Sequence, residues 1–349
     1  MTSTPAGQKL NVVIATPLEA AQAARIAKAA PDRVNVIYEP QLLPTIRYAA
    51  DHDGIKPQLS AADQARWQSL VAEADIMFDF DWMAPEKLPV AAPRLRWVQG
   101  TSAGIGEFLR NKQLLQSTIV FTTAAGVHAR PLAEFALLGL LYFWRDVPRL
   151  RREQAAHRWE RYANRDMAGR RALIVGLGGV GRELARSFAA LGLEVWGTKR
   201  SSQAIPPEGV KKLIDRSDLL SVLPQIDALV LACPLTPATR HMIGAEELAA
   251  LPSSAILVNV GRGGLIDEPA LIEALKHNKL AGAAMDVFET EPLPAESPLW
   301  DLPNVLVSPH SASTVDTENT RIVDIFIENL DRFLTGKKLI NEFSREHGY

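Results

Sequence analysis

The sequence predicts an α/β protein built from two doubly wound parallel-sheet domains. A chain of 349 residues is long enough for two domains with separate cores. Short runs rich in β-branched residues alternate with stretches of helical period, once over residues 10–123 and again from residue 172. Because parallel strands need crossover connections, this double alternation favours two open sheets, each covered by helices.

The first alternation contains five apolar runs, each of which predicts a strand. These runs are NVVIA, RVNVIYE, DIMFDF, RLRWVQG and TIVFTTA. Residues 18–30, 61–74 and 105–115 separate several of them and have a helical apolar period. The pattern is typical of a sheet whose strands are joined by helical crossovers.

The second alternation starts at ALIVG and continues as LEVWGT, DALVLA, AILVNVG, AGAAMDVF and NVLVSPH. Before it, residues 131–157 are predicted as one long connecting helix, because Pro131 suits a helix start. After it, residues 314–334 have a 3.6-residue apolar period that predicts an amphipathic helix. A helix there can return to the first domain, so the predicted domains are 1–125 plus 314–349, and 126–313.

Composition excludes several classes of function. Lys and Arg total 38 against 40 for Asp and Glu, so a formal charge of −2 leaves no basic field for nucleic acid. The most apolar segment, 131–144, is too short to cross a membrane, and the amino terminus does not resemble a signal peptide. The single cysteine, Cys233, predicts a cytoplasmic location. No cluster has the spacing of metal ligands, so no metal is predicted.

A glycine pattern predicts the cofactor class. Gly176, Gly178 and Gly181 form GxGxxG directly after a predicted strand and at the start of a predicted helix. The first glycine permits a tight turn, the second lets the backbone approach a pyrophosphate, and the third lets helix and strand pack closely. Gly179 and Val180 lie where the helix N-terminus would favour the anion. The alternative is a glycine-rich turn without a ligand.

The end of the next strand favours NADP over NAD. A site for NAD usually carries an acidic residue about 20 residues after the glycines, where it binds the ribose. Here the strand ends WGTKRSS, without an acid, and Lys199, Arg200 and Ser201 follow. Two cations suit a 2′-phosphate, so NADP is the preferred prediction, with NAD as the alternative. A solvated pair of surface cations is the other interpretation.

Three later segments carry residues suited to the reduction of a carbonyl group. Arg262 can hold a carboxylate through forked hydrogen bonds, and His310 can transfer a proton near neutral pH. Glu291 can orient the imidazole and favour its charged form. All three follow predicted strands of the second domain, whose carboxyl ends share one edge of the sheet. Singly, each residue also has an ordinary surface interpretation.

The order and wording of these motifs resemble the D-isomer-specific 2-hydroxyacid dehydrogenase family. The motifs are GLGGVG, ACPLTPATRHMIG, NVGRGGLIDEPALIEAL, AGAAMDVFETEPLP and SPLWDLPNVLVSPHSAS. The resemblance covers residues 95–335 and includes glyoxylate/hydroxypyruvate reductases. It implies a Rossmann dinucleotide-binding domain and a flavodoxin-like substrate domain. It also implies a homodimer formed largely through the helix after Pro131.

The same resemblance implies roles for individual residues. Arg262 would bind the substrate, His310 would be the acid/base, and Glu291 its partner. The segment TSAGIGEF resembles a loop whose amides receive the substrate carboxylate, with Ser102, Ala103 and Gly104 as the candidates. An ordinary helix N-terminal turn is the alternative there. The remaining expected cofactor contacts are Cys233, Pro234, Thr236, Val260, Gly261 and Asp286.

The loop after the third predicted strand favours a small unphosphorylated 2-oxo or D-2-hydroxy acid as substrate. Asp79 and Asp81 would face the cleft in this architecture and repel a phosphate group. A loop that faces solvent is the alternative. Two other functions remain open. One is a phosphoglycerate dehydrogenase-like enzyme, and the other is a cofactor-sensing binding protein similar to the corepressors that share this fold.

Overall fold

Parallel strands alternate with helices throughout the described part of the chain, residues 9–199 and 205–346 of this computed structural model. The strands are β1 (Leu10–Ile14), β2 (Val34–Ile37), β3 (Ile76–Phe78), β4 (Trp97–Gln99), β5 (Val120–Thr122), β6 (Arg171–Val175), β7 (Glu194–Lys199), β8 (Val210–Asp215), β9 (Ala228–Leu231), β10 (Ile256–Asn259), β11 (Gly282–Met285) and β12 (Val305–Val307). The helices are α1 (Ala20–Ala29), α2 (Ala61–Ala72), α3 (Leu88–Ala91), α4 (Gly106–Asn111), α5 (Ala129–Trp144), α6 (Val147–Ala155), α7 (Gly179–Ala190), α8 (Leu219–Val222), α9 (Ala245–Ala250), α10 (Glu268–Lys276) and α11 (Glu318–Leu334).

The chain divides into two units. The first contains the described residues up to His128 together with those from Thr314 onward, and the second is Ala129–Ser313. The first unit therefore consists of two separate segments of the chain, whereas the second is continuous.

The first unit contains a five-stranded parallel sheet in the order β2-β1-β3-β4-β5. This is the flavodoxin-like order, in which the chain changes its winding direction between β1 and β3. On one face, the apolar side of α11 covers the sheet. Phe326 on this helix is fully buried and packs at 5.0 Å from Trp97 and 5.1 Å from Phe78, measured between ring centroids.

The second unit contains a seven-stranded parallel sheet in the order β12-β11-β10-β9-β6-β7-β8. Alternate residues of its strands enter different cores, as the two-residue period of a strand requires. Leu173 and Val175 belong to one core, and Ala172 and Ile174 belong to the other. A sheet buried on both faces explains why these strands are continuous apolar runs.

The predicted fold class, two parallel-sheet α/β domains, is confirmed, with corrections to three elements. The predicted helix at 131–157 is broken into α5 and α6, because Asp146 adopts a left-handed conformation and caps the Arg149 amide at 3.2 Å. Pro148 also suits the first turn of a new helix. The terminal helix begins at Glu318 rather than Thr314. The edge strand β8 was not predicted, because only three of its residues, VKKLID, are apolar.

Candidate active site

A histidine and a glutamate form a hydrogen-bonded pair at one edge of the second unit's sheet. His310 Nδ1 lies 2.7 Å from Glu291 Oε2. Glu291 lies in the loop after β11, and His310 follows β12, the parallel neighbour of β11. Both residues therefore stand at the carboxyl ends of their strands, where open α/β sheets bind their ligands.

Each partner of this pair stabilises the charged form of the other. The hydrogen bond to Glu291 raises the pKa of His310 above its ordinary value, although partial burial opposes the rise. Burial alone would raise the pKa of Glu291, but hydrogen bonds from His310 and from the Phe288 amide lower it. His310 is therefore more readily protonated than an isolated histidine.

The loop that carries His310 is held by the buried carboxylate of Asp286. One oxygen of this carboxylate accepts hydrogen bonds from the Ser308 hydroxyl at 2.6 Å and from the Ser311 and Ala312 amides at 2.9 Å. The His310 amide donates to the Asp286 carbonyl at 2.9 Å. These bonds hold His310 in a left-handed conformation, with φ of 54°. Asp286, predicted as a cofactor contact, thus has an unpredicted role in positioning the histidine.

Arg262 lies in electrostatic range of the pair, and its positive charge lowers the pKa of both His310 and Glu291. Its loop passes very close to the segment that precedes Glu291. A Cβ atom at Gly263 would stand 1.9 Å from the carbonyl group of Phe288, so only glycine fits there. The structure therefore brings the three predicted catalytic residues together within the second unit.

Buried Asn259, at the end of β10, positions the backbone of Arg262. Its Oδ1 accepts from the Gly261 amide, and its Nδ2 donates to the Arg262 carbonyl, each at 3.0 Å. The guanidinium of Arg262 donates to the Gly261 carbonyl at 2.7 Å, while the side chain remains exposed. Sequence reasoning missed Asn259, although a polar residue that ends the apolar run ILVN is a signal of such a role.

The glycine pattern forms a tight turn between β6 and α7. Gly176 has φ of 104°, and a Cβ there would lie 2.8 Å from the Cys233 backbone. A Cβ at Gly181 would lie 1.9 Å from the Gly176 carbonyl oxygen. In contrast, a Cβ at Gly178 or Gly179 would meet no atom within 4 Å. The first turn of α7 thus offers open space beside amides that have no intrahelical partner, which fits a dinucleotide pyrophosphate.

Thr198, near the end of β7, holds this turn by accepting a hydrogen bond from the Gly176 amide at 3.1 Å. This contact was not predicted. The side chain of Lys199, and all of Arg200 and Ser201, lie outside the described residues. The predicted contacts to a 2′-phosphate therefore remain predictions.

The remaining predicted cofactor contacts lie near the same strand ends. Burial raises the pKa of the Cys233 thiol to about 11, so this side chain is a neutral packing residue. Pro234 and Thr236 belong to a turn closed by Thr239, whose hydroxyl donates to the Pro234 carbonyl at 2.8 Å. Val260 is buried, and its amide donates to the end of β9. Val260 and Gly261 follow β10 directly.

The predicted substrate loop lies in the first unit. Ser102, Ala103 and Gly104 are exposed between β4 and α4. The predicted acidic wall in this unit needs correction, because Asp81 is buried. It accepts hydrogen bonds from the Trp67 indole at 2.9 Å and from the amides of the two residues at 83 and 84. Its carboxylate therefore stabilises its own loop and does not face a substrate.

Two other classes of site have no counterpart in the described residues. Among residues 9–199 and 205–346, no group of three His, Cys, Asp or Glu side chains could hold a metal ion. In the same part of the chain, no helix has the length and apolar character needed to cross a membrane.

Comparison with known sequences identifies relatives over most of the chain. The family model for the D-isomer specific 2-hydroxyacid dehydrogenase, NAD binding domain, matches residues 137–312. Glyoxylate reductase of Korarchaeum cryptofilum is 34% identical over 268 residues, covering 72% of this chain and 78% of its own. Glyoxylate/hydroxypyruvate reductase B of Yersinia enterocolitica is 32% identical over 286 residues, covering 80% and 86%.

Solved structures show the same fold along the chain. A D-isomer specific 2-hydroxyacid dehydrogenase of Xanthobacter autotrophicus, in complex with NADPH and MES, is 30% identical with a TM-score of 0.77; the match covers 98% of this chain and 100% of that chain. The NADPH-dependent glyoxylate/hydroxypyruvate reductase of Sinorhizobium meliloti, in complex with NADP and sulfate, is 26% identical with a TM-score of 0.75 and the same coverage. This chain belongs to the D-isomer-specific 2-hydroxyacid dehydrogenase family.

Proposed function

We propose that this protein is a reductase that transfers a hydride from NADPH to a small unphosphorylated 2-oxo acid, producing a D-2-hydroxy acid. The observation that carries the proposal is the His310–Glu291 pair, at 2.7 Å, within electrostatic range of Arg262. Relatives named glyoxylate reductase and glyoxylate/hydroxypyruvate reductase support this substrate class.

In this proposal each residue of the site has a separate task. Arg262 holds the substrate carboxylate through forked hydrogen bonds. Nδ1 of His310 is bonded to Glu291, so Nε2 is the nitrogen that faces the 2-oxo oxygen. Reduced nicotinamide, when bound, supplies the hydride. Protonated His310 then delivers a proton to the developing alkoxide, and Glu291 stabilises the imidazolium until that transfer.

The cofactor contacts remain a proposal for the positions named from the sequence. The turn at Gly176, Gly178 and Gly181, with the amides of Gly179 and Val180, would hold the pyrophosphate. Lys199, Arg200 and Ser201 would bind a 2′-phosphate, which makes NADP the preferred cofactor. Two related structures that contain NADPH or NADP support this preference.

Arg200→Asp is expected to lower kcat/KM with NADPH by at least about tenfold, because one charge-assisted hydrogen bond is lost. Its effect with NADH should be smaller.

The amides of Ser102–Gly104 would receive the substrate carboxylate. A homodimer would form through α5 and the residues after it, where apolar side chains are exposed: Leu138, Leu150 and Trp159 are 52%, 48% and 94% accessible. The single cysteine, which is free, supports a cytoplasmic location.

Initial rates with NADPH and NADH, measured in parallel on several 2-oxo acids, test this function. We expect the fastest turnover with NADPH and either glyoxylate or hydroxypyruvate. A phosphorylated 2-oxo acid tests the phosphoglycerate dehydrogenase alternative in the same screen. Preferential use of that substrate would contradict the proposal, and so would the absence of turnover with every 2-oxo acid.

A further inference from the structure

Polar side chains collect at one edge of the first unit's sheet. Thr16 lies two residues after β1, Asp79 follows β3 directly, and Thr101 lies two residues after β4. These strands are parallel neighbours, so their carboxyl ends share one edge. The winding direction changes between β1 and β3, and open α/β sheets bind ligands at such a point. We call Thr16, His52, Asp79 and Thr101 the switch-point cluster.

His52 is tied to this edge by Thr16. The Thr16 hydroxyl lies 3.0 Å from His52 Nδ1, and it also donates to the His52 carbonyl at 3.3 Å. These contacts hold the Nδ1 side of the ring against Thr16 and leave Nε2 as the free ring nitrogen. Nε2 is buried and has no hydrogen-bond partner among the described residues. A buried polar atom without a partner requires an explanation, and a ligand-binding role for the cluster around Asp79 would supply one.

Two sets of hydrogen bonds close the loop that carries His52. The Arg47 guanidinium donates two hydrogen bonds to Asp51, at 2.7 and 2.8 Å, and Asp51 also accepts from the Arg47 and Gly54 amides, each at 3.0 Å. Thr45 and Ile55 exchange two backbone hydrogen bonds, at 2.9 and 2.8 Å. The imidazole is therefore held by a closed loop rather than by a free surface segment.

Asp79, like His52, reaches the surface in part. It has a left-handed backbone, with φ of 69°, and its carboxylate accepts from the Thr101 hydroxyl at 3.0 Å. Burial raises the pKa of the Asp79 carboxyl, and the positive charge of His52 opposes that rise. Thr101 thus fixes the Asp79 carboxyl group at the sheet edge. Strained backbone of this kind is concentrated at functional sites.

The position of Thr101 connects the cluster to the substrate. It directly precedes Ser102–Gly104, the loop proposed to receive the substrate carboxylate. Because the Thr101 hydroxyl is bonded to Asp79, a 2-oxo acid held by that loop would bring a substituent on C3 towards Asp79. A carboxylate accepts a hydrogen bond from a hydroxyl group, and a carboxyl group that keeps its proton donates one to it, whereas a methyl group gains nothing from either form. A hydroxyl group on C3 therefore matches Asp79.

We propose that Asp79 binds the C3 hydroxyl group of a hydroxylated 2-oxo acid, with His52 and Thr101 as positioning residues. This inference rests on the proposed function and deepens it by naming the residue that separates hydroxypyruvate from glyoxylate and pyruvate. It also gives Asp79 a role different from that of Asp81, whose carboxylate is engaged in its own loop.

The test compares kcat/KM for hydroxypyruvate, glyoxylate and pyruvate with saturating NADPH. Asp79→Gly removes the carboxylate at a backbone position that glycine tolerates, and Asp79→Asn is the conservative variant because asparagine also accepts this conformation. The ratio of hydroxypyruvate to glyoxylate kcat/KM should fall about tenfold to a hundredfold in Asp79→Gly, because a substrate hydroxyl loses its partner. Asp79→Asn should restore part of the ratio, and Thr101→Val should lower it to a lesser degree.

Gln113→Gly is the matched control, because Gln113 is another left-handed residue of the first unit, with φ of 57°, and is exposed. Equal losses for all three substrates in Asp79→Gly and Thr101→Val would overturn the inference while the proposed function stands. A wild type that reduces no 2-oxo acid would overturn both. If Asp79→Gly does not fold, as judged by circular dichroism, the Asp79→Asn and Thr101→Val ratios decide the question alone.

Discussion

The hydrogen bond between His310 and Glu291 favours the protonated form of the histidine. It raises the pKa of His310, so the imidazole is still charged at a pH where an isolated histidine would have lost its proton. Reduction of a carbonyl requires this charged form, whereas oxidation of the hydroxy acid requires the neutral form. Opposite pH profiles in the two directions are therefore expected from one residue.

The first prediction concerns His310→Asn. This variant keeps a polar side chain but removes the titrating proton, so kcat for reduction should fall about a hundredfold to ten-thousandfold. In the wild type, reductive kcat/KM should fall as pH rises through the raised pKa of His310, and oxidative kcat/KM should rise over the same range. The variant should lose both dependences while it still binds NADPH. Steady-state rates from about pH 5 to 10, which span the range over which histidine pKa values vary in proteins, measure the two pH profiles. Fluorescence titration measures the binding of NADPH. Unchanged profiles would contradict the assignment.

A second prediction concerns Glu291→Gln. Without the carboxylate, nothing in the pair offsets the burial of His310, so the midpoint of the reductive pH profile should move to lower pH. The rate should also fall by about tenfold or more, because the partner of a catalytic histidine holds its orientation. Glu289→Gln is the matched control, since Glu289 is a neighbouring acid paired with His241 at 2.7 Å. A midpoint that moves equally in both variants would disprove the specific role of Glu291.

Sequence reasoning named the chemistry-bearing residues but missed those that hold them in place. Arg262, Glu291 and His310 are recognisable because carbonyl reduction needs those side-chain types after strands of one sheet. Asn259 and Asp286 act through hydrogen bonds to backbone atoms of distant loops. Such contacts depend on how loops from different strands approach each other, which residue type and spacing do not specify.

At the scale of elements, apolar runs predicted most strands of the two sheets, because strands buried on both faces need continuous apolar sequence. The edge strand β8 escaped prediction, since an edge strand has less need of apolar residues and Lys211 is exposed. The break between α5 and α6 escaped prediction as well. The apolar face of 131–144 suggested a continuous helix, and the left-handed conformation of Asp146 that ends it is a single-residue feature.

The third prediction concerns the packing of α11 in the first unit. Phe326 is fully buried, stacks on Trp97 at 5.0 Å and meets the edge of Phe78 at 5.1 Å. Phe326→Ala should therefore lower the free energy of unfolding by about 3–5 kcal/mol. Phe333→Ala is the control on the same helix, because Phe333 stacks on Trp97 at 5.5 Å but is only partly buried. Urea unfolding followed by tryptophan fluorescence measures both, and equal losses would contradict the central position of Phe326.

The two units of the molecule differ in how the chain builds them. The second unit is continuous from Ala129 to Ser313, and its two cores draw only on residues of that segment. The first unit needs both chain segments, because a core of its sheet includes Ile322, Phe326 and Leu330 from α11. The sequence predicted that this helix returns to the first domain, but its period alone could not identify the strands that it covers.

This difference in construction predicts how the parts fold when they are separated. A fragment of residues 129–313 should unfold cooperatively on heating and should still bind NADPH, because its sheet, cores and glycine turn are complete within it. A fragment of residues 1–128 should not fold, because removal of α11 exposes Phe78 and Trp97 to water and leaves part of the core unfilled. The matched control joins 1–128 to 314–349 through a flexible glycine-rich linker, which restores α11 without the second unit. Circular dichroism should then show a cooperative transition only when both segments of the first unit are present. A cooperative transition in the 1–128 fragment alone would show that α11 is an accessory to this unit, and the large loss expected for Phe326→Ala would lose its basis.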